Sequence, residues 1–225
     1  MECENDSVRA NKGRYGWRPG RWEGSVQSID RQQLRRLLPP PEKLVVQKVL
    51  PYLDRHSLHF LSLSPFMLIA TQGRSGADLS PRGDPPGFVK ALDRTTLLIP
   101  DRPGNNRLDT MENILDNPRI GCLFLVPGLG EILRVNGEAE IVTGPELEHL
   151  VQQGRVPPVA IRVVVKEALF HCAKAVIRSK VWNPATFATR ADFPPLGAVL
   201  ADQIAGLDRD DMIERIRVGD QTTLY

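Results

Sequence analysis

The sequence predicts a mainly β protein, a six-stranded antiparallel barrel with peripheral helices. Three observations lead there. Six apolar runs of strand length are bounded by Gly, Pro and Asn, and several sit at hairpin spacing. The alternation of strand and helix that marks a doubly wound parallel sheet is missing. Helical periodicity is concentrated at the two ends of the chain.

The elements follow in order. Residues 1–28 are rich in Gly, Arg and polar groups and have no periodicity, so they read as an arm that is flexible or draped on a partner. Trp17 and Trp22 within it call for a surface to cover them. A helical segment spans 29–64: an amphipathic pattern from Asp30, broken by Pro39, Pro40 and Pro41, a helix over 42–53, and a further turn or two over 54–64, stopped at Pro65. The barrel occupies 65–182. Its strands are expected at 66–71, 77–83, 95–100, 119–127, 132–143 and 159–170, with Gly137 as a candidate bulge. Short helices are expected at 107–116, 145–152 and 171–180. A helical tail, 183–225, closes the chain.

Composition narrows the function. A hydrophobic fraction of 41% in 225 residues supports a sizeable core, and a formal charge of +2 gives no strong pull toward nucleic acid or membrane. No uninterrupted apolar stretch is long enough to span a bilayer, and the polar N-terminus lacks a signal-peptide core. Three cysteines (Cys3, Cys122 and Cys172) without C-x-x-C spacing suggest neither a disulfide framework nor a zinc site, so a reducing, cytoplasmic location is expected. His56 and His59 stand three apart but lack a third ligand, so no metal is expected.

The most informative stretch is IPDRPGNNRLDTMENILDNPR, residues 99–119. Its helix is expected to start near Asn106 and end at Asn117. A helix N-terminus presents unpaired N–H groups, so with Asn105, Asn106 and Arg107 it makes a phosphate socket, or the asparagines cap the helix and Arg107 is solvated. In LSPRGDPPGF, the Pro of the Ser80-Pro-Arg82-Gly-Asp run lacks a ladder donor. That places Arg82 and Asp84 at the mouth of a strand pair, either for a ligand or as a loop-fixing ion pair. Arg134 lies in a strand with apolar alternate positions, facing a site or solvent. Lys174, Arg178, Lys180 and Trp182 form a basic and aromatic cluster, either for a phosphate and a flat ring or as a solvated helix end.

Taken in order, FMLIAT, ADLSPRGDPPGF, TTLLIPDRPGNNRLDTMENILDNPRIGCLFLVPG and LRVNGEAEIV closely resemble the pyridoxamine 5′-phosphate oxidase-like family of FMN-binding split barrels. The likeness covers about residues 60–182. It is nearer to a branch of FMN-dependent enzymes than to the oxidase proper. The resemblance implies a six-stranded antiparallel split barrel, a homodimer and two FMN molecules at the subunit interface. It implies phosphate contacts from Ser80 and Arg82 and from Asn105, Asn106 and Arg107, which stand where the family has a Ser-Arg-Lys turn. Arg134 matches the arginine of the family's V-R-x-x-G strand. Lys180 and Trp182 resemble late residues that close the site from the partner.

The departures concern the substrate. Ile132 replaces a glutamine that contacts the flavin edge, LIPD replaces F-Y-T-N, and RADFPPLGAVLADQ has no counterpart of the substrate-binding Arg and His cluster. The expected function is an FMN-dependent oxidoreductase acting on an unidentified small organic substrate, with hydride transfer at flavin N5. Arg134 or Lys180 would stabilise the reduced ring, and no residue stands out as a general acid or base. The alternative is a non-catalytic flavin or haem carrier, with His56, His59 or His171 as haem ligands. A reductase using deazaflavin is a third option.

Overall fold

A computed structural model describes residues 25–74 and 76–225. The arm expected over 1–28, including Trp17 and Trp22, lies outside the described residues except for its last four. Two compact units divide between Pro41 and Glu42. In the first, helix α1 (Arg31–Leu37) is opened by a capping box. Asp30 accepts the Gln33 N–H at 2.8 Å, and the Gln33 side chain accepts the Asp30 N–H at 2.9 Å.

In the second unit, helix α2 (Lys43–Gln47) is shorter than the helix expected over 42–53. Pro51 explains the early stop, because the residue before a proline is driven toward extended backbone. Leu50 accordingly leaves the helix and exchanges two backbone hydrogen bonds with Ala168, at 3.0 and 2.7 Å. Helix α3 (Arg55–Leu63) follows. Asp54 caps it by accepting both the Ser57 N–H and its hydroxyl at 2.8 Å.

The strands are β1 (Phe66–Gly73), β2 (Gly76–Gly83), β3 (Lys90–Ala91), β4 (Thr96–Pro100), β5 (Arg119–Leu125), β6 (Ile132–Val142) and β7 (Ala160–His171). They form one antiparallel sheet in the order β2-β1-β5-β6-β7-β4-β3. Among the described residues seven strands therefore replace the six expected; the addition is the two-residue β3, too short to show a period of two. The ladder ends at β2 and β3 and is not closed by pairing. Pro81 does not interrupt β2, which covers the strand expected over 77–83 even though the proline lacks a ladder donor: Pro81 pairs with Leu68 and the register runs on to Gly83. β2 is an edge strand, where a missing N–H costs no ladder bond.

Alternation along the strands builds the core. Met67 and Ile69, Cys122 and Phe124, Leu133 and Val135, Val163 and Val165 all face inward, beneath Phe60 and Leu61 of α3. Burial of each large side chain stabilises the fold by roughly 1.5–3 kcal/mol. Gly137 is a bulge as expected, with the β6–β7 register shifting between Asn136 and Gly137. A Cβ there would lie 2.3 Å from the Val164 carbonyl oxygen.

Helix α4 (Asp109–Asp116) packs on β1, β2 and β6. The short helix expected over 145–152 is a 3-10 helix, Pro145–Leu150. Because β7 runs on to His171, helix α5 (Lys174–Ser179) starts later than the helix expected over 171–180. The tail supplies α6 (Leu196–Gln203) and α7 (Arg209–Thr222), which pack together.

Candidate functional site

The period of two in β2 turns Asp78, Ser80 and Arg82 to one face, each half-buried, and leaves Leu79 and Pro81 on the other. Register puts Ser80 opposite Ile69 and Arg82 opposite Met67, both buried, so this is the inner face. β4 delivers the chain to the same place, where residues 101–108 cross to α4. Between the end of β2, this loop and the first turn of α4 lies a cavity of about 520 Å³. Ser80, Arg82, Asn105, Asn106 and Arg107 all line it.

The loop differs from the sequence expectation. The helix begins at Asp109, not near Asn106, and neither asparagine caps it. The cap position is Leu108, at φ +60° and without a side-chain cap bond. Asn106 also has positive φ, +54°. An asparagine tolerates that conformation, whereas a leucine there stores about 1–2 kcal/mol of strain. Asn105 instead accepts the Arg107 N–H at 3.1 Å, folding the turn. Among the described residues, the backbone N–H groups of Gly104, Asn105 and Asn106 have no hydrogen-bond acceptor.

The cations of the cavity are committed to different degrees. Arg107 lies 2.7 Å from Asp109, an exposed pair that solvent screens. Arg82 reaches no carboxylate within hydrogen-bond distance among the described residues; its Nη1 donates to the Pro81 carbonyl at 2.9 Å. Asp84 pairs not with Arg82, as the sequence offered, but with Arg102 at 2.6 Å. Asp101, half-buried in the cavity wall, has its carboxyl pushed above the usual range by burial, a shift that nearby Arg82 and Arg102 only partly oppose.

Arg134, Lys180 and Trp182 do not line this cavity. Arg134 pairs across the strands with Leu123 and Leu169, on the face opposite Leu133 and Val135. Its Nε is buried without a hydrogen-bond partner among the described residues. Burial lowers the His171 imidazole, and the charges of Arg134 and Lys48 lower it further. Lys180 is exposed and ends α5 at φ +53°. Trp182 donates its indole N–H to the Leu129 carbonyl at 2.8 Å, covering a loop. Among the described residues no group of three or more His, Cys, Asp or Glu could hold a metal ion, and no helix is long and apolar enough to cross a membrane.

Residues that sequence reasoning passed over are Asp101, Arg102 and Tyr225. Asp101 and Arg102 stood within the quoted IPDRPG run, beside the residues singled out. No local signal pointed to Tyr225, which is 141 positions from its partner Asp84.

The donor set suits a phosphate monoester. It combines a half-buried guanidinium free of carboxylate bonds, a second on an exchangeable partner and three unmatched backbone N–H groups.

Comparison with curated protein sequences finds no match. Among solved structures, HupZ from Group A Streptococcus is 20% identical with a TM-score of 0.43, covering 52% of this chain and 91% of that one. A putative pyridoxamine 5′-phosphate oxidase from Lactobacillus delbrueckii is 16% identical with a TM-score of 0.42, covering 53% and 95%. The FAD binding protein from Mycobacterium smegmatis is 14% identical with a TM-score of 0.39, covering 54% and 97%. At these scores they are distant likenesses. The family profile described as pyridoxamine 5′-phosphate oxidase, however, matches residues 53–172, more than half of the sequence. The chain belongs to the pyridoxamine 5′-phosphate oxidase family.

Proposed function

We propose that the protein is an FMN-dependent oxidoreductase that binds the FMN phosphate between β2 and the 101–108 loop. The observation that carries the reading is Arg82, half-buried on the inner face of β2, bonded to no carboxylate among the described residues and lining one cavity with the 104–107 loop. Ser80 and Arg82 hold the phosphate from one wall. Asn105, Asn106 and Arg107 hold it from the other, with Arg107 exchanging Asp109 for the ligand. Bound FMN supplies the redox chemistry at its N5. The chain's own part is to fix the phosphate and to line the ring's surroundings.

Two copies complete the site in this reading. The outer face of β2-β1-β5-β6 carries Leu79, Phe66, Leu68, Leu123, Leu125 and Ile132 in cross-strand register, and Arg134 stands among them with its buried Nε unsatisfied. An apolar sheet face holding an unmatched cation suits a second subunit. There, Arg134, Lys180 and Trp182 of one protomer close the flavin seat of the other, and Arg134 or Lys180 stabilises the reduced ring.

A visible absorption spectrum tests the reading, taken on purified protein and again after adding FMN and desalting. Retained oxidised-flavin bands are expected, bleached anaerobically by a nicotinamide or chemical reductant. A protein that stays colourless after FMN addition refutes the reading. Flavin that is retained but turns over no electron donor or acceptor would identify a carrier on the same barrel.

A further inference from the structure

The least expected arrangement at the cavity wall is a network of residues far apart in sequence. Asp84 follows β2 and its side chain is 1% exposed. Such a carboxylate needs both oxygens satisfied, and both are. Oδ2 accepts from Arg102 Nε at 2.6 Å, and Oδ1 accepts the Tyr225 hydroxyl at 2.6 Å. Arg102 Nη2 donates to the Leu150 carbonyl at 2.9 Å, and its Cζ lies 5.8 Å from the Tyr225 ring centroid. The Tyr225 carbonyl in turn accepts from Arg155 Nη1.

Arg102 is thus held by β2's exit, by the 3-10 helix and by the tail, while it forms part of the cavity wall. Its Nη1 has no partner among the described residues and is the donor left over for a ligand.

We propose that Tyr225 is a positioning residue of this site: its hydroxyl, acting through Asp84, locks the Arg102 guanidinium into the wall of the cavity. What the cavity holds rests on the flavin reading; the lock itself does not. Without the hydroxyl, Asp84 Oδ1 loses its donor, and the carboxylate is free to rotate and take Arg102 with it. The tail and the cofactor are then coupled, and the coupling is reciprocal: FMN stabilises the docked tail as much as the docked tail stabilises FMN.

Tyr225→Phe tests this, because it keeps the ring and removes one oxygen. FMN titration followed by flavin fluorescence should show about a five- to tenfold weaker complex, the scale of one ordinary hydrogen bond acting through Asp84. Arg215→Ala, at an exposed α7 position, should leave affinity unchanged. An independent readout is the ultraviolet phenolate titration of the unliganded protein minus that of Tyr225→Phe, which isolates Tyr225. Its hydroxyl should ionise above the ordinary tyrosine range, because Asp84 accepts its proton, and Asp84→Asn should bring it back down. Equal FMN affinity in Tyr225→Phe and wild type overturns the positioning role. Ordinary ionisation of Tyr225 in the wild type overturns the lock. A wild type that binds no FMN but keeps the displaced ionisation refutes the flavin reading and upholds the lock.

Discussion

At the scale of single residues, the two arginines of the cavity are not equivalent. Arg82 is half-buried and bonds no carboxylate among the described residues, so Arg82→Ala should weaken FMN binding by about 1.5–3 kcal/mol. Arg107 is exposed and already pairs with Asp109, so Arg107→Ala should cost clearly less in the same titration. A loss on Arg107→Ala with none on Arg82→Ala would mean that the phosphate sits at the loop and not at β2. Leu108 offers a separate test of strain. Glycine adopts φ +60° without penalty, so Leu108→Gly should be about 1 kcal/mol more stable than Leu108→Ala in denaturant unfolding, the reverse of the order at an ordinary helical position. Asp101 sets a pH dependence. Its folded carboxyl is raised, so the native state binds the proton more tightly than the unfolded chain does. Stability therefore declines as pH rises from the unfolded value of about 3.8 through the raised folded value, and stays reduced above it. Asp101→Asn should raise Tm at neutral pH, and the gain should vanish in acid; a gain that is the same at both pH values would exclude this cause.

At the scale of elements, what could be read in advance was whatever is local. The β6 bulge at Gly137 was visible because a glycine interrupts a long apolar alternation, and Gly137→Ala should destabilise the fold by about 1–3 kcal/mol, measured by chemical unfolding, since its Cβ collides with the Val164 carbonyl. Strands β1, β5, β6 and β7 were legible within two residues of their observed ends, their alternation being strong. Helix α2 is shorter than its pattern suggests: the periodicity is genuine, but Pro51 and a bridge to Ala168 end the helix early. The 99–119 stretch stood out in advance, and residues 100–111 of it do line the cavity, but its geometry was not legible. Asn105 and Asn106 read as a phosphate socket or as caps of a helix starting near Asn106, yet the helix starts at Asp109 behind a left-handed Leu108, and its Thr110 and Asn113 hydrogen-bond to Asp78 of β2 and Thr71 of β1. The Asp84–Arg102–Tyr225 network was out of reach, since no pattern links positions so far apart.

For the whole molecule, the proposed pairing of two copies makes its own forecast. Leu68→Arg places a charge in the outer apolar face opposite Leu123 and Pro81, so light scattering should move from dimer to monomer, with FMN retention lost along with it. A variant that is monomeric yet still yellow would confine the flavin seat to one chain. The open sheet carries another consequence. An unpaired strand edge is a template for joining other chains, and this sheet has two such edges, β2 and β3. One is reduced to two residues. The other carries Pro81, which supplies no amide donor midway along its second half. The same proline that lacks a ladder donor therefore acts as a guard against edge-to-edge aggregation along the strand that bears Arg82.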